Sequence, residues 1–246
     1  MHRFFAEDLH ITDNRITITG GDVNHIRNVL RMDPGDHICI VAGQDGKEYD
    51  CEILSLDGSR VETVICGVTA CDRELQSRIV LFQGLPKSDK MELIIQKAVE
   101  LGAESIIPVI TERTIVKLDP KKEENKRRRW MSISESAAKQ SGRLCIPEVH
   151  KAVSFDEALR MARELDVNLI PYELAEGMDR TRELMSGIQP GRSVGIFIGP
   201  EGGFAADEVR KAVAAGVEPV TLGKRILRTE TAGLATLAML VYNLER

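Results

Sequence analysis

The stretch "SVGIFIGPEGGF" (Ser193–Phe204) runs from six strand-forming residues into a glycine-rich loop, and "ADEVRKAVAAG" (206–216) follows at helical spacing. A strand that feeds a helix through a short open loop is the repeating unit of a mostly parallel sheet covered by helices. Gly199, Gly202 and Gly203 allow positive φ and close backbone approach, and Pro200 stiffens the turn. Such a loop can cradle phosphate, yet it is neither G-x-G-x-x-G nor a Walker loop. Glu201 at its centre would repel a phosphate placed there. A ligand with cationic groups, or a neutral nucleoside, suffers less. A tight strand-to-helix turn accounts for the glycines as well as a binding loop does.

The alternation extends in both directions from this unit. "RIVLFQG" (78–84), "SIIPVI" (105–110), "VNLI" (167–170) and "EPVTLG" (218–223) are strand-like. Helical patterns lie between them, from Ser88 to the stop at Gly102, over 122–141, over 154–165, and in a last helix over 229–245. Pro108 argues for an edge position or a strand end. An α/β domain is therefore expected over 73–246. Residues 1–72 read differently. "HICIV" (37–41), "EYDCEIL" (48–54) and "RVETVI" (60–65) flank Asp45-Gly46 and Asp57-Gly58, both hairpin signals. "DVNHIRNVLRM" (22–32) reads as one helix with Asp22 as N-cap and Val23, Ile26, Val29 and Leu30 on one face. Three or more short strands and a helix suggest a small barrel.

The 246 residues, 43% hydrophobic and 29% charged, suit a globular protein that buries its own core. Five cysteines never spaced C-x-x-C and five scattered histidines suggest neither a disulfide framework nor a zinc site. The start lacks an apolar leader and no apolar run approaches a membrane span, so a reduced, cytoplasmic protein is expected. Net charge is −5, and residues 1–72 hold six Lys/Arg against thirteen Asp/Glu. An anionic partner must then be met by local patches.

A second unusual loop is "LGKRILRTETAG" (222–233). Thr229 or Thr231 suits the N-cap of the last helix, and Glu230 suits its first turn. Capping does not account for Ile226 and Leu227 beside Lys224, Arg225 and Arg228. Apolar residues there can wall an adenine while the cations face an anionic substrate.

At "IGPEGGF" with "ADE" (206–208), and at "LGKRILRTETAGL" (222–234), the chain resembles the RsmE family of 16S ribosomal RNA uridine-N3 methyltransferases in the knotted SPOUT superfamily. "KSDKMELIIQKAVELGAESIIPVITERT" (87–114), "VKL" (116–118), "QSGRLCIPEV" (140–149) and "NHIRNVLRMDPGD" (24–36) match in the same order. The resemblance implies a PUA-like β-barrel for RNA over 1–72 and a methyltransferase domain over 73–246. It also implies S-adenosylmethionine as methyl donor, a trefoil knot formed by the last segment, and a homodimer. The substrate implied is 16S rRNA within the small ribosomal subunit, with no metal and no membrane involved. Carried over by position, the cofactor contacts are Ile198, Gly199, Gly202 and Gly203, then Leu222, Ile226, Leu227, Arg228 and Thr229. The loop after "VNLI", with Pro171, Tyr172 and Glu173, is expected to supply a third wall.

Uridine N3 is a poor nucleophile until its proton leaves, and the resulting charge spreads onto the flanking carbonyls. An enzyme helps by alignment, by stabilising that charge or by a general base. Arg228 is the first candidate for binding the uridine or its phosphate. Glu230 or Glu201 suits a base, with capping and loop bracing as the alternative for each. For RNA, Arg27 and Arg31 lie four apart on the first helix, so they are expected to share a face. Lys87, Lys90, Arg3 and Arg143 complete the candidate set. "KKEENKRRR" (121–129) is basic, but such a run is commonly a solvated helix face. A non-catalytic RNA-binding or assembly protein with a dimerising α/β domain is the alternative. It predicts RNA binding without cofactor binding or a labelled product.

Overall fold

The computed structural model of the chain describes residues 1–5, 11–42, 46–116, 119–172 and 177–245. The expectations for Asp45, Glu173 and residues 117–118 fall outside them. Two compact units emerge. One comprises residues 1–74 with 142–146, the other residues 75–141 with 147–246.

In the first unit the strands are β1 (His2–Phe5), β2 (Ile11–Thr12), β3 (Arg15–Thr19), β4 (His37–Ala42), β5 (Lys47–Leu56) and β6 (Arg60–Ala70). They form one sheet of order β1-β4-β5-β6-β3-β2. Alternate residues of β5 (Tyr49, Cys51 and Ile53) point into the same cluster as Phe4, Ile16, Ile38 and Val61, the period-two signature of a half-buried sheet. Two register shifts between β5 and β6 bend the sheet around that core.

The expected helix over 22–32 is shorter and of another kind. Gly20, at φ 78°, turns the chain out of β3, and α1 (Gly21–Asn24) starts behind it. Asp22 is therefore in the first turn, not at the N-cap. A π-helical turn follows over His25–Val29, closed by Leu30 N–H to His25 O at 2.9 Å. The wider turn shifts the phase of the side chains. Val23 and Ile26 stay in the core while Val29 is 65% exposed.

The second unit contains β7 (Arg78–Gly84), β8 (Ser105–Ile110), β9 (Glu148–Val149), β10 (Val153–Ser154), β11 (Val167–Pro171), β12 (Ser193–Ile198) and β13 (Glu218–Val220). Between them lie α2 (Lys90–Glu100), α3 (Pro120–Ser141), α4 (Phe155–Ala162), α5 (Met178–Gly187), α6 (Ala206–Ala214) and α7 (Thr229–Leu244). The strands pair in the order β10-β8-β7-β12-β11-β13, with β9 also on β8, and every pairing is parallel. The central strands β7 and β12 are buried along almost their whole length, as a sheet covered on both faces requires. Phe82 and Phe197 stack across them at 4.4 Å. The helices α4 and α6 cover one face through Phe155, Leu159, Val209 and Ala212. Across β12 lies α7, which contacts α2 and α5.

Pro108 does not lie on an edge strand. Its strand pairs β7 on one side and, on the other, only the two-residue strands β9 at Ser105–Ile106 and β10 at Val109–Ile110. Pro108 occupies the gap between them, where no ladder donor is needed. The expected strand 218–223 stops at Val220 because the Thr221 amide turns to the Thr181 hydroxyl, at 3.1 Å. No helix among the described residues is long and apolar enough to cross a membrane.

Candidate active site

The chain leaves β7 towards β8 on one side, and β12, β11 and β13 fill the other. The junction of β7 and β12 is thus the switch point, where open α/β sheets leave a crevice at the carboxyl ends of the strands. The loop after β12 sits there. Its glycines serve two different needs. Gly203 alone uses positive φ, at 66°, while its N–H closes a turn onto Pro200 O at 2.9 Å. Gly199 is needed for space, because a Cβ there would lie 3.0 Å from the Gly203 backbone. Gly84, at the end of β7, meets the same constraint from the other side, with a Cβ placed 2.6 Å from Pro200 Cδ. Phe204 anchors the loop in the core against Phe155 at 5.6 Å.

Polar contacts fix the loop to three neighbouring segments. Glu201 accepts the Lys87 amide at 3.0 Å and lies 3.1 Å from Lys90 Nζ. Partial burial raises the affinity of this carboxyl for its proton. The hydrogen bonds from its own backbone, from Lys90 and from the Lys87 amide outweigh that effect, and the carboxyl titrates below its ordinary range. Lys87 is then followed by Ser88 at φ 56°, which delays α2 to Lys90 although the helical pattern suggests a start at Ser88. Lys90 also stands 3.6 Å from Glu230 Oε2, an oxygen that is buried and accepts no hydrogen bond. Arg113, from the loop after β8, donates to Gly202 O at 2.7 Å. That loop is itself held by Glu208, whose carboxylate accepts the amides of Glu112 (2.8 Å) and Ala205 (2.9 Å).

Neither Thr229 nor Thr231 caps α7. The N-cap position is Arg228, without a side-chain bond, and the Thr229 hydroxyl is spent elsewhere. It donates to Gly199 O at 2.6 Å and accepts from Gln83 Nε2 at 2.9 Å, so one buried side chain ties the two glycine-rich loops to the end of β7.

Between these loops lies a cavity of about 510 Å³, within the range of small-molecule sites. Its lining includes Pro171, Tyr172, Ile198, Gly199, Gly202 and Gly203 from the expected set. Leu222, Ile226, Leu227, Arg228 and Thr229 line it as well. Ile226 is 83% exposed. Of the three catalytic candidates, Arg228 and Glu201 lie on the wall. Glu230 stands behind Lys90, outside the lining. Arg228 is exposed and makes no ion pair among the described residues. Sequence reading missed Arg113, Gln83 and the placement of Lys90 in this cavity. Arg113 and Lys90 lie inside a block matched by the family, but nothing local marks either as facing the glycine loop.

The candidate RNA contacts separate into exposed and occupied side chains. Arg27 and Lys87 are exposed. Arg31 is exposed too, but it lies beyond the π-turn at φ 53°, so Arg27 and Arg31 do not share a helical face. Arg143 is 5% exposed, paired with Glu74 at 2.7 Å, and is a structural residue instead of an RNA contact. Glu74 also accepts the Leu144 amide at 2.7 Å. Its burial would favour the protonated form, but Arg143 and that amide hold its carboxyl below the ordinary range. Arg3 is likewise largely covered and pairs with Glu48. In the basic run, Lys122, Arg127, Arg128 and Arg129 pair with Asp119, Glu148, Glu124 and Glu92 respectively. That face is largely neutralised.

Residues 73–241 match the family of the RNA methyltransferase domain, and residues 18–66 match the RNA methyltransferase PUA domain. The ribosomal RNA small subunit methyltransferase E of Bacillus subtilis (strain 168) is 39% identical, covering 100% of this chain and 98% of that protein. Its counterpart from Neisseria gonorrhoeae, solved bound to S-adenosyl methionine, superposes with a TM-score of 0.84 at 34% identity, over 98% of this chain and 97% of that one. A Legionella pneumophila protein solved in complex with SAM gives 0.86 at 33% identity, over 98% and 96%.

Proposed function

The chain belongs to the ribosomal RNA small subunit methyltransferase E family, and from that premise we propose that it methylates N3 of a specific uridine in 16S rRNA, using S-adenosylmethionine. The observation that carries this reading is the meeting of two loops distant in sequence, 198–204 and 222–229, around one cavity with a glycine floor and an apolar wall. The chemistry of the lining suits this cofactor. Glycine backbone and apolar side chains suit an adenosine, and Arg225 and Arg228 stand in the same lining to meet an anionic nucleotide.

When bound, the cofactor supplies an electrophilic methyl group and needs no phosphate cradle. Tyr172, Leu222, Ile226 and Leu227 would hold the adenine, and the backbone of 198–203 would meet the ligand in a tight loop that Gly199 and Gly202 make possible by leaving room for the Gly203 backbone and Arg113. Arg228 faces the nucleotide. As the N3 proton passes to solvent water, Arg228 is the exposed cation in the lining that would balance the charge spreading over the uracil carbonyls. Glu201 braces the loop, since both its oxygens are engaged by Lys87 and Lys90. Glu230 positions Lys90 and does not serve as the base.

The same reading assigns RNA binding to residues 1–72 and methyl transfer to 73–246, in the cytoplasm. It includes a trefoil knot formed by the last segment, supported by the bonds from Thr229 back to Gly199 and Gln83. It also includes a homodimer, as the resemblance to the family implies. Incubation with tritiated cofactor and unmodified small ribosomal subunits, followed by nucleoside analysis, is expected to yield labelled 3-methyluridine. Subunit binding without label points to an RNA-binding protein, and label on another base overturns the assignment to N3.

A further inference from the structure

One side-chain cluster in the first unit has no part in the methyl-transfer reading. His37 opens β4 and pairs in register with Glu52 of β5. On β6 the ladder runs from Ile65, opposite Cys51, to Gly67, opposite Asp50, so Cys66 is the extra residue of a bulge. Bulges re-aim a side chain relative to the regular pleat. The imidazole, carboxylate and thiol each place one donor atom within 4.8 Å of the other two. Asp50, two residues before Glu52, has its Oδ1 3.0 Å from His37 Nδ1.

We propose that His37, Glu52 and Cys66 bind a divalent transition-metal ion of the zinc class, with water as fourth ligand. Nitrogen, oxygen and sulfur donors together are the set zinc takes, and a tetrahedral site holds such donors about 3.5 Å apart. Cys66 is exposed, as is His37, so rotation about side-chain bonds closes the remaining distance without moving the strands. Asp50 accepts the Nδ1 proton, fixes the ring and leaves Nε2 for the metal, the carboxylate–histidine–metal arrangement of established sites. On binding, the Cys66 thiol gives its proton to solvent and the thiolate and the Glu52 carboxylate balance the dication. The ion clips three neighbouring strands and offsets part of the acidic excess of residues 1–72. Three ligands on three strands, at spacings of fifteen and fourteen residues, match no linear metal motif.

The test uses the full-length protein, reduced and stripped of metal, titrated with Co²⁺. The expected result is a thiolate-to-cobalt charge-transfer band that saturates at one equivalent and rises no further. Cys66→Ser abolishes it, Cys71→Ser leaves it, and Asp50→Asn weakens affinity roughly 10–100-fold. Zinc then displaces the cobalt and raises Tm in a concentration-dependent way. No band, a band that survives Cys66→Ser, or saturation only above millimolar metal overturns the proposal.

Discussion

Arg228 and Glu201 border the same cavity, but their surroundings assign them different work. Arg228 is exposed and unpaired among the described residues, so its removal leaves no buried charge behind. Arg228→Ala is expected to lower turnover about 100-fold or more, the scale of losing one charge-stabilising donor. Its Tm should stay within about 2 °C of the parent, and single-turnover assays with a thermal melt check both. Glu201 is engaged by a backbone amide and an ammonium, so Glu201→Gln is expected to cost stability, about 1 kcal/mol at neutral pH. Because the folded protein depresses this carboxyl, the contribution is fully present above the ordinary glutamate range. It disappears as pH falls through the depressed value. Urea midpoints of parent and variant should therefore differ at neutral pH and converge in acid. The glycines and apolar positions of the cavity were legible because close approach and adenine burial demand particular residue types. The roles of Thr229, Lys90 and Arg113 were not, because each is set by a partner between 30 and 111 residues away.

At the level of elements, local rules succeeded where the chain is locally self-consistent. Gly102 ends α2 as a Schellman cap, with Gly102 N–H on Val99 O and Ala103 N–H on Ala98 O. Strand β12 has the bounds its apolar run implies. Local rules failed at the π-turn, where the hydrogen-bond spacing widens and periodicity misplaces Val29. They failed again at the start of α7, where a good capping residue is used for a tertiary bond. The loop after β12 provides a test at this scale. Gly199→Ala places a methyl 3.0 Å from the Gly203 backbone. It should cost about 1–3 kcal/mol of stability and weaken S-adenosylmethionine binding at least tenfold, about 1.4 kcal/mol. Calorimetric titration checks the affinity. Unchanged affinity and stability would show that the loop has room the geometry denies it.

At the level of the whole molecule, residues 142–146 belong to the first unit although they lie far along the chain. Leu144 packs with Cys39 and Val41, and Arg143 neutralises Glu74. A fragment of residues 1–74 therefore lacks part of its own core. Replacing Arg143 by Ala in the full chain leaves the half-buried Glu74 with only the Leu144 amide and should cost about 1–3 kcal/mol. The 1–74 fragment should bind a hydrophobic dye and melt without a sharp transition, and adding back 142–146 through a short linker should restore cooperativity. Sequence by itself determined a β-rich region followed by an α/β one, most of the longer strands and helices, and the two loops that line the cavity. Apolar period, turn chemistry and glycine placement are written residue by residue. Only the tertiary structure decided that Thr229 locks both loops, that Arg143 is structural, that Lys90 is shared by two carboxylates, and that His37, Glu52 and Cys66 meet. Each of those depends on which distant segments become neighbours, and strand order in a sheet leaves no local trace in the chain.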